Sequence, residues 1–405
     1  MEKLIVQPLA ESGISIVIVI DALDECKDDK PASAILFVLG RFVAEIPNVK
    51  FFVTGRPEPH IREGFRLLLL AKVTDVFVLH DVGSSQVNSD IRLFFKHRFL
   101  DLKGRRCGLE DWPTEQQLDL LCQRAAGLFV FAMATIRFID QKNANPKKQL
   151  GRLLQSLESG FEGRTKLRED KTLDSLYMSI LQEAFDDYDP EDGPDVRSVL
   201  GSLILATNPL STSAIATILG FIARDVSPLL SSAHSLLILK DDIDHPVRPF
   251  HKSFPDFIVD PTRCTNPRFR VCPSEQHAIL LVGCLDLMNR TLKRNMCNLP
   301  DGVINSEVSD LKERTEKCIG SALEYACRSW HRHLVNKMST QTLEILRQFL
   351  TEKFLFWLEV LSVIGAVREA VDALETTAKW LNVRYNSLLV HFQGFIGLSL
   401  GAANP

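Results

Sequence analysis

The stretch ISIVIVIDALDEC, residues 14–26, decides the fold of the first part of the chain. Its first seven residues are almost all β-branched and show no polar alternation, which predicts a strand buried on both faces and ended by Asp21. A helix is predicted from about Pro31 to Glu45, because proline suits a first helical turn and an apolar stripe follows it. A second strand is predicted at Val49–Thr54. Strand, helix and strand in this order predict a parallel α/β crossover unit.

A third strand is predicted at Val76–Leu79, and the pattern then becomes helical. Thr114 and Gln117 form the signature of a capping box at the start of a helix, and Gly127 separates that helix from the next one. From residue 274 onward only helices are predicted, the longest around 275–293, 315–330 and 341–380.

Three shorter helices and a hairpin are predicted in the middle of the chain. Their order, helix, helix, helix and then two strands, is the order of a winged helix. The predicted helices cover about Val196–Ala206, Ser213–Leu219 and Asp225–His234, and the predicted strands cover 236–240 and 247–251.

Composition and charge argue against several classes of function. The 405 residues carry a net charge of −4, which gives no overall attraction to nucleic acid or to anionic membranes. Nine cysteines are scattered without a CxxC pair, and Cys264 and Cys272 near His277 lack a fourth zinc ligand. Free reduced thiols fit a cytoplasmic protein. No signal peptide is recognised, and the apolar stretch Leu388–Leu400 is shorter than the about 20 residues of a membrane helix.

The acidic turn after the first strand is the strongest chemical signal. A carboxylate at the carboxyl end of a buried parallel strand lies where phosphate-binding α/β enzymes hold magnesium, so Asp21 is a candidate metal ligand. Asp24 and Glu25 follow it and could orient an attacking water. The alternative is structural, because aspartate is also a common residue where a strand stops.

Several motifs in this order resemble the NACHT modules of the STAND class of signal-transducing NTPases, in particular the large fungal set and the nephrocystin-like NACHT region. The matching stretches are VIVIDALDEC (17–26, a Walker B motif), FFVTGRPEPHI (51–61), AAGLFVFAMATIRFI (125–139), TNPLS (207–211), PVRPFHKSFPDFI (246–258) and ALEYACRSWHRHL (322–334). Together they cover about residues 14–380.

The resemblance implies a role for each matching residue. Asp21 would bind magnesium, and Asp24 and Glu25 would orient or activate the hydrolytic water. Arg56 would contact the γ-phosphate, and His251 would contact the diphosphate of a closed, ADP-bound form. The implied ligands are ATP or ADP (or GTP) with magnesium. Without the resemblance, Arg56 would be a surface turn residue and His251 a hairpin-end residue bonded to backbone.

The phosphate-binding loop of the family is missing from these 405 residues. That loop requires GxxxxGK[ST], and no Gly-Lys dipeptide occurs in the sequence. The chain is therefore expected to be a truncated, non-hydrolysing regulatory or protein-interaction fragment. The alternative is an ATP- or GTP-hydrolysing enzyme whose loop was lost from an incomplete gene model. A winged-helix DNA binder ranks last, because its candidate recognition helix, 225–234, has no Lys or Arg.

The expected fold is an α/β remnant of a P-loop NTPase sheet, followed by a helical domain, a winged helix and an all-α C-terminal region. Protein partners, including full-length NACHT relatives, are expected, with neither nucleic acid nor membrane among the partners. The expected domains are 1–82 (partial nucleotide-binding core), 83–190 (helical), 191–262 (winged helix), 263–385 (C-terminal helical) and 386–405 (divergent tail).

Overall fold

The computed structural model describes most of the chain and divides it into two compact units, Met1–Gly83 and Ser84–Pro405. In the described part the chain is mostly helical and carries two small sheets of two strands each. The domain boundaries predicted within the second unit stay predictions. The described residues are 7–26, 29–46, 48–66, 68–78, 84–141, 144–159, 169–186, 188, 195–300, 302, 304–335 and 338–384.

The first unit contains the predicted parallel crossover. Strand β1 (Ile16–Ile20) pairs in parallel with β2 (Val49–Val53), and helix α2 (Asp29–Phe42) connects them. The predicted strand–helix–strand crossover is therefore present, while the assignment of this unit to a P-loop NTPase sheet stays a prediction. The other helices of the unit are α1 (Gln7–Ser12), α3 (Pro59–Arg66) and α4 (Leu68–Ala71).

The prediction that the first strand is buried on both faces is wrong. Val17 and Val19 are 64% and 62% exposed, and Phe52 on β2 is 60% exposed. Their neighbours Ile18 and Ile20 point to the opposite face, where apolar side chains of α2 pack against the sheet. In the described part of the first unit, helices cover one face of the sheet, so successive residues of β1 alternate between packed and exposed positions.

The predicted third strand is also wrong within the residues that are described. Val76, Phe77 and Val78 are irregular, are 74%, 77% and 44% exposed, and belong to neither sheet. Apolar residues alone cannot make a strand without a neighbouring strand to accept their backbone hydrogen bonds. Leu79 lies outside the described residues.

The second unit begins with helices that follow the sequence signals closely. The capping box of Thr114 and Gln117 is present in both directions at the start of α6. Gly127, with a φ of 83°, separates α6 from α7. The helices of this part are α5 (Ser84–Arg105), α6 (Glu115–Ala125), α7 (Phe129–Ile139), α8 (Pro146–Ser159) and α9 (Glu169–Ala184).

The predicted order of three helices and an antiparallel pair is present in the middle of the chain. Leu237 pairs with Pro249 and Ile238 pairs with Arg248, so the ladder is shorter than predicted. The elements are α10 (Val196–Leu205), α11 (Thr212–Leu219), α12 (Ala223–Ser232), β3 (Leu237–Ile238) and β4 (Arg248–Pro249).

The C-terminal part is helical, but two of its predicted long helices are interrupted. The predicted helix 315–330 breaks at Ile319–Gly320, and the predicted helix 341–380 is divided by a turn at Gly365, which has a φ of 69°. The predicted tail 386–405 lies outside the described residues. The helices are α13 (Ser253–Val259), α14 (Pro273–Thr291), α15 (Leu311–Cys318), α16 (Ser321–Ser329), α17 (Thr340–Gln348), a π-helical stretch Phe349–Lys353, α18 (Phe354–Val363) and α19 (Val367–Arg384).

One continuous apolar core runs through the second unit, from Ile91 on α5 to Leu381 on α19. A chain of polar side chains lies inside it. The hydroxyl of Tyr325 is 2.7 Å from Nε2 of His333, and Nδ1 of His333 is 2.8 Å from Nδ1 of His277. These bonds join α14, α16 and the turn that follows α16.

Candidate functional site

The carboxyl ends of β1 and β2 lie side by side, because the strands are parallel and Ile20 pairs with Val53. The Thr54 amide donates to the Ile20 carbonyl at 2.9 Å, and the Leu23 amide donates to the Thr54 carbonyl at 2.9 Å. These bonds hold the turn after β1 against the end of β2. The acidic turn and the TGRPEP stretch therefore meet at one edge of the sheet.

Asp21 is fixed at this edge by Thr54. The Thr54 hydroxyl donates to Oδ1 of Asp21 and accepts from the Ala22 amide at 2.8 Å. Ala22 has a left-handed φ of 53°, a conformation that costs about 1–2 kcal/mol without glycine. The sequence alone did not assign a role to Thr54, although a hydroxyl residue at the end of the neighbouring strand was a usable signal.

Asp24 and Arg56 form a second pair across the same edge. The Arg56 amide donates to Oδ1 of Asp24 at 3.0 Å, and Nε of Arg56 lies 3.7 Å from Oδ2 of Asp24. The Asp24 side chain is 5% exposed and that of Arg56 is 42% exposed. The buried carboxylate therefore fixes the backbone and the direction of Arg56.

Glu25 is the outermost acid of the turn. It ends the short 3₁₀ helix Leu23–Glu25, and its amide donates to the Ala22 carbonyl at 2.9 Å. Leu23 is buried beneath it, while Glu25 is exposed. The structure thus brings Asp21, Asp24 and Glu25 together with Arg56 at one strand edge, with only Asp24 withdrawn from solvent.

His251 belongs to the second unit and follows strand β4. Its Nδ1 accepts from the Ser253 amide at 3.2 Å and lies 2.6 Å from the Ser253 hydroxyl. That hydroxyl is also 2.7 Å from the hydroxyl of Tyr177, whose pKa burial raises to about 12. Because Nδ1 accepts, the neutral ring carries its proton on Nε2. The backbone bond expected of a hairpin-end histidine is therefore present.

Arg137 on α7 is a structural residue that sequence reasoning missed. Its guanidinium donates to the carbonyls of His234, Ser235 and Leu237 at 2.7, 3.1 and 2.5 Å. It also lies 4.4 Å from the ring centroid of Phe250, next to His251. Burial lowers the pKa of this arginine. The signal in the sequence was a single charged side chain within the apolar stretch FVFAMATIRFI, because a cation in a buried helix needs hydrogen-bond acceptors.

The acidic edge fits magnesium only in part. Magnesium is usually bound by one or two carboxylates together with water and substrate phosphates, and Asp21 offers one exposed carboxylate. No group of three or more His, Cys, Asp and Glu in the described part of the chain could hold a metal. The phosphate ligands would have to be held by backbone amides of a GxxxxGK[ST] loop, a motif that the 405 residues do not contain. Tight binding of a magnesium nucleotide therefore requires a phosphate cradle in addition to this edge.

Two known sequences or families are similar to this chain. The sequence model of the family described as "Nephrocystin 3, N-terminal" matches residues 1–56, which include the acidic turn and Arg56. The vegetative incompatibility protein HET-E-1 of Podospora anserina is 24% identical over 386 residues, or 88% of this chain. The chain is NACHT-like.

The NACHT-like chain spans about a quarter of the length of that curated relative, since the match covers 26% of it. No solved structure matches it significantly. In the described part of this NACHT-like chain, no helix has both the length and the apolar character needed to cross a membrane.

Proposed function

We propose that this chain is a NACHT-type signalling module that acts through contacts with other proteins and does not itself hydrolyse nucleotide. The observation that carries the proposal is the edge at Asp21 and Arg56, which has the acids and the cation of a nucleotide site. The same sequence contains no GxxxxGK[ST] motif. Carboxylates alone repel a triphosphate, so the edge by itself cannot hold one.

The geometry supports a division of roles at this edge. Asp21 is the residue that would face magnesium, with Thr54 fixing one of its oxygens. Glu25 is the exposed acid that would orient water. Asp24 acts through Arg56, because its buried carboxylate accepts the Arg56 amide and pairs with the guanidinium. Arg56 would contact phosphate oxygens, for which a guanidinium is well suited.

His251 lies in the second unit, on the hairpin that follows α12. The three helices and the antiparallel pair support assignment of residues 191–262 as a winged helix. With Nδ1 engaged by Ser253, the Nε2 proton of His251 is suited to donate to a diphosphate oxygen. This role rests on the family resemblance and on the fixed tautomer.

Hydrolysis is tested on the purified 405-residue chain with ATP, GTP and magnesium. We expect no turnover above that of a Glu25→Ala variant. We also expect only weak binding of nucleotide when the nucleotide is present at millimolar concentration. Glu25-dependent turnover by the wild-type chain would overturn the proposal and establish the alternative, a hydrolysing NACHT NTPase.

The interaction role is tested by adding the chain to a purified NACHT protein that contains a phosphate-binding loop. We expect a complex in sedimentation velocity experiments and a changed rate of hydrolysis by the partner. An unrelated P-loop ATPase serves as the control. Equal behaviour with both proteins would contradict a NACHT-specific interaction.

A further inference from the structure

Five positive side chains lie where the end of α5 meets the start of α8. The last turn of α5 carries Lys103 and Arg105, and Arg106 follows directly. The first turn of α8 carries Lys147 and Lys148 and no acid. Both of these lysines are exposed, and neither forms a salt bridge within the described residues. We call the five side chains the basic surface.

Arg106 joins the two helix ends. Its guanidinium donates to the Gln141 carbonyl at 2.6 Å and to the Ala144 carbonyl at 2.8 Å. Asn145 comes next in the chain, and its side-chain oxygen accepts from the amides of both lysines at 3.0 and 3.3 Å, which caps α8. These bonds place the first turn of α8 beside the end of α5, so the positive charges of the two segments form one surface.

Two acids within the basic surface leave it positive. Asp140 lies between the arginines, 2.8 Å from a guanidinium nitrogen of Arg105 and 3.5 Å from one of Arg106. Lys103 donates to the Glu110 carbonyl at 3.0 Å, so the Glu110 side chain belongs to the same region. The five cations outnumber these two acids, on a chain whose net charge is −4. The sign of this surface is therefore opposite to that of the whole chain.

The two lysines of α8 are unfavourable for the helix that carries them. A helix has partial positive charge at its N-terminus, where acids stabilise it and cations destabilise it. The cap is supplied by Asn145, so the lysine side chains add neither a cap nor a salt bridge to the fold. Residues that break a local rule without a structural gain are typical of functional sites.

We propose that the basic surface binds an acidic segment of a partner protein. The inference deepens the proposed function, on which it rests, because it names the chemistry of the partner. Carboxylates are bound by ion pairs and hydrogen bonds from lysine and arginine side chains, which this surface supplies. Because these side chains are mostly exposed, the binding should be moderate in strength and sensitive to salt.

The residues of the surface favour a protein over a nucleic acid or a membrane. Residues 103–111 and 140–149 contain no aromatic residue, and their one large apolar residue, Leu109, is buried. Single-stranded nucleic acid stacks its bases on aromatic side chains, and surface-bound membrane proteins insert large apolar ones. The negative net charge of the chain also opposes binding to extended phosphate surfaces.

The experiment measures the binding of a fluorescein-labelled hexaglutamate peptide to the full chain by fluorescence anisotropy. We expect saturable binding at low ionic strength, which weakens as sodium chloride is added. The double replacement Lys147→Glu with Lys148→Glu should raise the Kd about tenfold. The control is Lys312→Glu with Lys317→Glu, which changes the net charge equally at two exposed lysines of α15 and should leave the Kd within about twofold.

Thermal unfolding of the same variants separates binding from a structural role. Acids in the first turn of a helix stabilise it, so the variant with Glu at both positions of α8 should unfold at the wild-type temperature or above while it binds the peptide less well. A lower melting temperature would show that the two lysines support the fold and would overturn the proposal.

Three binding results would also overturn the proposal. They are the absence of saturable peptide binding, an equal loss in both double variants, and tighter binding of duplex DNA or phosphatidylserine vesicles that depends on Lys147 and Lys148. The peptide experiment uses neither a nucleotide nor a NACHT protein. Its failure is therefore distinguishable from failure of the proposed function, which is measured by turnover and by complex formation.

Discussion

At the residue scale, His333 shows how burial fixes a protonation state. Burial lowers its pKa to about 3 and the pKa of His331 to about 4, with the neighbouring Arg332 acting in the same direction on both. Tyr325 accepts from the Thr207 amide, so its own hydroxyl is placed to donate to Nε2 of His333. Nδ1 of His333 then carries the proton and donates to His277. Protonation of Nδ1 of His277 would remove the acceptor of this bond and interrupt the series of hydrogen bonds from Tyr325 to His277.

The buried histidines should make the second unit sensitive to acid. Between about pH 6.5 and pH 4 the unfolded chain binds protons that the folded His331 and His333 do not, so the free energy of unfolding falls as pH falls. We expect a loss of about 1.4 kcal/mol per pH unit for each histidine in this range. Urea denaturation from pH 7.5 to pH 4.5 measures this slope. His333→Gln should reduce the slope, while the same change at the exposed His97 on α5 should leave it unchanged.

Asp24 should stabilise the first unit through Arg56. Asp24→Ala leaves the Arg56 amide without its side-chain acceptor, and we expect a loss of about 1–3 kcal/mol in the free energy of unfolding. Asp24→Asn keeps an oxygen that can accept this bond and should cost less. Chemical denaturation measures this loss, with the hydrogen exchange of the β1 and β2 amides as the readout for the first unit. Asp75→Ala, an exposed change in the same unit, is the control, and equal losses at both positions would contradict the role of Asp24.

At the scale of elements, α11 and α14 approach so closely that only glycine fits between them. A Cβ atom at Gly283 would lie 2.2 Å from the backbone carbonyl oxygen of Ile218. Gly283→Ala should therefore force the helices apart and cost about 1–3 kcal/mol, as overpacking does. At Gly151 on α8 a Cβ would meet nothing within 4 Å, so Gly151→Ala should stabilise by up to about 1 kcal/mol. Thermal unfolding of both variants compares them, and a stabilising effect at Gly283 would refute the close contact.

The elements that the sequence predicted well are those specified by local chemistry. The Thr114 capping box, the break at Gly127 and the β1–α2–β2 crossover depend on residues close together in the chain. The two faces of β1 were predicted wrongly, because a β-branched run looks the same whether one or both faces are covered. The pairs Thr54–Asp21 and Asp24–Arg56 needed the strand register, which no local pattern contains.

At the scale of the whole molecule, the two units differ in how much apolar surface they bury. The core of the second unit is continuous from α5 to α19, whereas the first unit has two small clusters and an exposed apolar sheet face. We therefore expect amide hydrogen exchange to be faster in 16–53 than in 196–381 on the intact chain. Uniform protection of both regions would contradict this expectation.

The exposed face of the first sheet should also drive self-association. Val19→Thr removes apolar surface at the centre of this face and keeps the β-branched side chain that strands favour. We expect less concentration-dependent scattering than for the wild-type chain. Val371→Thr makes the same replacement at a half-exposed position on α19 and should have no effect. Equal scattering by the wild-type chain and both variants would mean that the chain associates through another surface.

The guanidinium of Arg137 has a mechanical consequence. It clamps α7 to the end of α12, to β3 and to the ring of Phe250, the residue before His251. If this hairpin moved while α7 stayed in place, the three charge-assisted hydrogen bonds from Arg137 to the carbonyls of His234, Ser235 and Leu237 would have to break. We therefore expect the hairpin and α7 to move as one rigid body, with any hinge lying outside both elements.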